Sequence, residues 1–186
     1  INDILELSRI QAGESRVDRE AFSLSASVAR VVDLLQSIAQ RKSINLRLLN
    51  ESQQGRMLSN KRRLEQILLN LINNAIKFTD EGDVTVIVED AGQRQGKGSD
   101  TDEVTDVIRI RVQDTGVGIK EEDMSKLFVP FSQIDSGLDR DHEGTGLGLS
   151  ICRGLAGILG GEIRVKSEWQ KGSEFIVTLP TIMPKQ

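Results

Sequence analysis

Asn70, Asn73, Asn74 and Lys77 recur at helical spacing within residues 64–79 (LEQILLNLINNAIKFT). Carboxamide oxygens suit a hard cation such as magnesium, and an ammonium suits a phosphate. On the opposite face of the same helix, Leu64, Ile67, Leu68, Leu71, Ile72, Ala75 and Ile76 form an apolar stripe. An ordinary surface helix mixes Lys, Glu and Arg along its polar side. Here neutral amides followed by a lysine occupy it. A solvated face that is merely rich in asparagine is the competing reading of this helix alone.

A carboxylate stands out next. Ile108, Ile110 and Val112 alternate along a predicted strand, and period two carries Asp114 onto their inward face. An ionised carboxylate there needs hydrogen-bond donors. Thr115-Gly116-Val117-Gly118 follows, and the glycines let backbone approach a ligand closely. Together these residues suit an adenine pocket in which Asp114 accepts from the exocyclic amine. A strand-end turn in which the aspartate caps its own backbone fits the same residues.

A second glycine run, residues 143–150 (EGTGLGLS), enters an apolar helix. Bare amides at a helix N-terminus make a phosphate site. The run is not a P-loop, because no Gly-Lys-Ser/Thr follows, and its spacing is not that of the dinucleotide fingerprint. A hinge serving the preceding loop is compatible with the same glycines. Within that loop, Arg140 could swing onto a terminal phosphate or simply be solvated. Phe128, Pro130 and Phe131 bracket the loop's start as an anchoring patch.

Alternation and helical periodicity supply the elements that must position these groups. Residues 1–12 read as the last turns of a helix with Ile1, Ile4, Leu5 and Ser8 on one stripe, closed by Gly13. Residues 22–24 read as a short strand. Ser25 or Ser27 then caps a helix to about residue 41, with Val28, Val31, Val32, Leu35 and Ile38 inward. Strands are expected at 44–49, near 57–58, at 84–88, 107–112, 162–165 and 175–179, and helices at 120–126 and 146–159. The polar, Gly-rich residues 91–105 read as a flexible hairpin connection. Residues 128–145 lack pattern and read as a lid or binding loop. Hairpins interleaved with helices predict an α/β two-layer sandwich, a mixed sheet with helices on one face.

The 186 residues fit one domain with at most an appendage. A net charge of −4, with Lys61, Arg62 and Arg63 as the one basic cluster, argues against a nucleic-acid partner. The aromatic content of 3% argues against base stacking. Cys152 is the only cysteine and reads as a small buried hydrophobe. With His142 the only histidine, a zinc site is not expected. No signal peptide and no membrane-length apolar stretch occur, so a cytoplasmic location is expected, with the parent protein left free to carry membrane segments. The chain opens in mid-helix and is expected to be an excised fragment.

In order, Asn70…Asn74-Ala75…Lys77-Phe78, Asp114-x-Gly-x-Gly, Phe128-x-x-Phe131 and Gly144-x-Gly-x-Gly148 resemble the N, first glycine, F and second glycine boxes of sensor histidine kinases, members of the GHKL superfamily. The resemblance covers nearly the whole chain. It implies that residues 1–13 (INDILELSRIQAG) end the dimerisation and phosphoacceptor helix, that residues 14–182 form the catalytic ATP-binding domain, and that residues 183–186 are a tail. It implies ATP and Mg2+ as cofactors, with Asn74 as the metal ligand and Asn70 beside it. Lys77 would approach the phosphates and Phe78 the nucleotide. Asp114, Gly116, Gly118 and Ile119 would border the purine. Gly144, Thr145, Gly146, Leu147 and Gly148 would border the triphosphate, with Arg140 as the lid arginine. Asn70, Lys77 and Arg140 would serve catalysis. The implied partners are the chain's own dimerisation domain and a response regulator receiver domain, in a parent protein that is a homodimer, the fragment itself being monomeric or not. Asn60 stands where the family usually has Asp.

Gyrase-like and heat-shock-chaperone ATPases of this superfamily place a glutamate one turn before the magnesium asparagine. Here that position is Asn70, and neither its amide nor that of Gln66 is basic enough to take a proton from water. Phosphoryl transfer to an external histidine is therefore favoured over hydrolysis, and the acceptor is absent, since His142 falls in the lid. An ATPase of the same fold, a nucleotide-free interaction module and a serine kinase of the anti-sigma type are the alternatives.

Overall fold

A computed structural model describes residues 2–12, 18–95, 104–132 and 145–184. Its elements are α1 (Asn2–Gln11), β1 (Glu20–Ser23), α2 (Leu24–Arg41), β2 (Ile44–Asn50), β3 (Arg56–Ser59), α3 (Lys61–Lys77), β4 (Gly82–Gln95), β5 (Val104–Asp114), α4 (Glu121–Met124), α5 (Gly148–Ile158), β6 (Glu162–Glu168) and β7 (Gly172–Pro180). Five strands form a mixed sheet in the order β2-β4-β5-β7-β6, and β1 pairs with β3 in a smaller sheet. β2 and β4 are parallel, joined by a crossover that contains α3, and the other pairs of the large sheet are antiparallel. The expected mixed α/β architecture is therefore the observed one.

The inward stripe of α3 is sealed. Leu64, Ile67, Leu68, Leu71 and Ile72 are fully buried, against a sheet face that includes Val84, Val86, Ile108, Ile110, Val112 and Val177. Each such side chain contributes roughly 1.5–3 kcal/mol by leaving water. Asn60 caps the helix, its side-chain oxygen accepting from the Arg63 amide at 2.9 Å, as aspartate would. α2 starts earlier than expected. Ser23 is its cap, accepting from the Ala26 amide, whereas Ser27 is buried in the helix. Ile38, expected inward, is 37% exposed. The other face of the sheet carries the chain Arg109–Glu89–Arg111–Glu174, each ion pair at 3.0–3.2 Å.

β4 and β5 run well beyond their apolar alternation. Past a bulge between Asp90 and Gln93 they continue through the register Gln93↔Asp106 and Arg94↔Thr105. Polar contacts, including Gln93 Nε2 to Asp106 Oδ1 at 3.0 Å, hold this extension in place of buried side chains. Residues 91–95 and 104–105, expected in a flexible connection, are thus strand.

α1 lies on α5. Leu7 is buried and Ile10 packs against Gly154, while Ile4 and Leu5, expected on the packed stripe, are more than half exposed. The opposite face wins because Gly154 leaves room for Ile10. Glu6 also pairs there with Arg63 and accepts from Gln66 Nε2 at 2.7 Å. Gly13, the expected helix stop, lies outside the described residues. At the other end of the chain, Met183 is 1% exposed and its amide donates to the Leu58 carbonyl at 2.9 Å. The segment expected to be a tail therefore begins with a core residue. Among the described residues, no helix is long and apolar enough to cross a membrane.

Candidate functional site

α3 presents Asn70, Asn74 and Lys77 as half-buried residues on the side away from its sealed stripe. Lys77 and Phe78 close the helix, with the Lys77 ammonium 5.1 Å from the centre of the Phe78 ring. Asn74 and Lys77 thus border one end of the helix. Asn70 lies one turn before Asn74. From α5 the Cys152 thiol donates to the Ile67 carbonyl of this helix at 3.8 Å, and burial pushes its pKa up to about 12. Cys152 is itself fully buried, as expected of a small hydrophobe.

Asp114 ends β5. Its Oδ1 accepts from the Gly116 amide at 3.0 Å and from the Ser173 amide of β7 at 3.2 Å. The aspartate therefore does cap its own turn, and among the described residues Oδ2 has no donor. Burial raises its carboxyl to about 6, and the two amides pull in the opposite direction without cancelling it.

The loop after Asp114 is locked to the end of α3. The Val117 amide donates to the Phe78 carbonyl at 3.2 Å, and a methyl group at Gly116 would overlap that same carbonyl oxygen. Only a glycine permits this approach. Gly118 abuts the Glu168 carbonyl, and the Ile119 amide donates to Ser167 Oγ at 2.8 Å, so the loop is also held by the β6–β7 hairpin. The carboxylate and the amide-bearing helix end, 36 or more residues apart in sequence, thus form one surface.

The second glycine run meets the F-box region. The Phe131 amide donates to the Gly146 carbonyl at 3.1 Å, joining the two feet of the predicted lid. Gly146 has φ +67°, and a side chain there would press on the Phe131 backbone at 2.9 Å. Leu147 is buried beneath, and Thr145 Oγ1 accepts from its amide at 3.4 Å. α5 begins at Gly148 without a side-chain cap, which leaves its first amides for an anion. Phe128 is half-buried under Arg153, whereas Phe131 is 65% exposed. Arg140, His142 and Gly144 lie outside the described residues.

Two residues at this surface have no counterpart in the sequence reading. Ser173 supplies one of the amides that hold Asp114, and the only signal for it is its place just ahead of the strand expected at 175–179. Lys42, the C-cap residue of α2, directs its ammonium at the Ile76, Lys77 and Thr79 carbonyls at 2.9, 3.0 and 3.0 Å.

Among the described residues no group of three His, Cys, Asp or Glu side chains converges as a metal cage. A divalent ion at this surface would depend on one or two amide oxygens plus oxygens brought by a ligand. That donor set fits magnesium, which commonly binds through few protein ligands together with substrate phosphates.

Comparisons with known proteins fall on this same ground. The family described as histidine kinase-, DNA gyrase B- and HSP90-like ATPase matches residues 59–182. The hybrid signal transduction histidine kinase B of Dictyostelium discoideum is 37% identical over 185 residues, covering 99% of this chain and 9% of that protein. The chain therefore spans a small part of this relative. Full-length ShkA in complex with AMPPNP has TM-score 0.80 and 28% identity, covering 100% of this chain and 36% of that one. The catalytic domain of histidine kinase ThkA has TM-score 0.72 and 25% identity over 90% of this chain and all of that one. ThkA in complex with the response regulator protein TrrA has TM-score 0.68 and 25% identity over 97% of this chain and 48% of that one.

Proposed function

The chain belongs to the histidine kinase-, DNA gyrase B- and HSP90-like ATPase family, and from that premise we propose that it binds Mg-ATP and serves as the catalytic part of a histidine protein kinase. Asp114 accepts from the adenine amine through Oδ2, while Gly116, Gly118 and Ile119 admit the flat ring. The Asn74 amide oxygen coordinates magnesium, with Asn70 as its neighbour on the helix. Lys77 and the uncapped first amides of α5 at Gly148 receive the phosphates, with Gly144, Thr145, Gly146, Leu147 and Arg140 completing that side. The observation that carries this reading is the junction of Asp114 with the Phe78 end of α3 through Gly116 and Val117. It joins a purine acceptor to a helix end that suits a metal–phosphate group.

The γ-phosphoryl group goes to a histidine of the adjoining dimerisation domain. A bond from imidazole nitrogen to phosphorus forms as the bond from phosphorus to the bridging oxygen breaks, and ADP leaves. Magnesium supplies charge neutralisation on the phosphate oxygens, and the protein mainly positions the reactants. A response regulator then receives the group, in a homodimeric cytoplasmic or membrane-anchored parent protein. Transfer is favoured over hydrolysis because, among the described residues, α3 presents no base set for water. Asn70 and Gln66 carry amides, and Glu6, which reaches this helix from α1, is held by Arg63 and Gln66.

Calorimetry with Mg-AMPPNP tests the binding step. Wild type binds, and Asp114→Asn abolishes measurable uptake. Asn74→Ala removes the difference between titrations with and without magnesium. Magnesium-independent binding by wild type would overturn the metal assignment. For the transfer step, a separate acceptor domain is added with labelled ATP, and phosphohistidine on the acceptor is expected. Label on His142 of the isolated chain would overturn it.

A further inference from the structure

Lys42 lies outside every motif described above, yet its ammonium meets the C-terminus of α3 with three hydrogen bonds, to the carbonyls of Ile76, Lys77 and Thr79. These carbonyls sit at the negative pole of the helix. The polar groups assigned to metal and phosphate, Asn74 and Lys77, stand on the last turn of that helix. An unneutralised helix C-terminus would repel a polyphosphate arriving there. It would also be free to fray, since the last carbonyls of a helix lack intrahelical partners.

We infer that Lys42 is a positioning residue for the triphosphate and its metal: it neutralises the end of α3 and fixes the turn that carries Asn74 and Lys77. It reaches this role from the end of α2, so it orients the site without touching the nucleotide. The purine acceptor has a second anchorage away from α3, since Asp114 Oδ1 accepts from the Ser173 amide of β7 as well as from Gly116. Lys42 should therefore matter far more for the phosphate half of the ligand, which stands on the turn it holds, than for the base. A residue that only stabilised the fold would affect both halves alike.

This inference rests on the Mg-ATP reading, and the test separates the two. Wild type and Lys42→Met, which keeps most of the stem and removes the charge, are titrated with Mg-AMPPNP and with adenosine. The temperature is set well below both melting transitions, as established by circular dichroism. Affinity of Lys42→Met for Mg-AMPPNP is expected to fall about tenfold, the scale of a well-placed cation at a helix C-terminus. Affinity for adenosine is expected to stay within about twofold of wild type. If the methionine variant does not fold, Lys42→Gln, which retains donors without the charge, is read in the same titrations with the same expectations. Parallel losses for both ligands, or no loss for either, would overturn the role of Lys42. Failure of wild type to bind Mg-AMPPNP would instead overturn the function proposed above.

Discussion

Asp114 must be a carboxylate in a place that disfavours one. Its folded value near 6 lies above the ordinary 3.8, so between those limits the folded chain holds a proton that the unfolded chain has released. Two outcomes follow from that sign. Stability contributed by this group is largest below pH 3.8 and declines as pH rises through 6, so Asp114→Asn should raise the melting temperature of the ligand-free protein at pH 7 by a few degrees, on the order of 2 kcal/mol. Nucleotide affinity runs the other way. It should fall by up to about tenfold per pH unit below 6 as the acceptor is protonated, which calorimetry across pH 5–7.5 would read. Asp114 was legible in the chain because strand alternation ends on it. Lys42 was not, because its partners are backbone carbonyls 34 to 37 residues away and carry no side-chain signature. Asn70 was legible from helical spacing, which places it on the polar face, but nothing local shows that Cys152 of α5 meets the same helix at the Ile67 carbonyl.

At the scale of elements, strength of periodicity decided what could be read. The body of α3 was legible because its apolar residues recur every three to four positions, while its ends were not: the run read as 64–79 is helical over Lys61–Lys77, with Asn60 as its cap. The outer halves of β4 and β5 were not, because amide and carboxylate contacts hold them and polar residues give no period-two signal. Gly116 is where two elements come too close for a side chain. Gly116→Ala should cost roughly 2–4 kcal/mol in urea melts, as the loop must leave the Phe78 carbonyl. Gly154 offers a gentler contrast. A methyl there would stand 2.6 Å from Ile10 Cγ2, the end of a side chain that can move. Gly154→Ala should speed amide exchange across residues 4–10 while leaving Mg-AMPPNP affinity within about twofold of wild type, because it loosens α1 and spares the site.

Taken as a whole molecule, the chain follows the two-layer plan that its hairpins and helices imply, with the large sheet under α2, α3 and α5. The small sheet was the hidden part. Residues 22–24 and 57–58 each read as a short strand, but nothing local shows that β1 and β3 pair antiparallel with each other. Nor does anything local show that the segment after β7 joins them. Leu58 donates to the Thr181 carbonyl at 2.8 Å and accepts from Met183, while Arg19 Nη1 donates to the Met183 carbonyl at 3.0 Å. Met183→Ala should cost roughly 2–4 kcal/mol, measurable by thermal or urea denaturation, although its neighbour Ile182 is half exposed.

That stitch sets an order of events during synthesis. β1 and β3 can meet early, but the third participant in their ladder is made about 120 residues after β3, as the separation of Leu58 from Thr181 and Met183 shows. A nascent chain stalled before residue 181 clears the ribosome would carry the complete helix face and most of the sheet, with Leu58 still lacking its backbone partners. Protease resistance of residues 18–95 should therefore rise only when residues 181–183 have emerged.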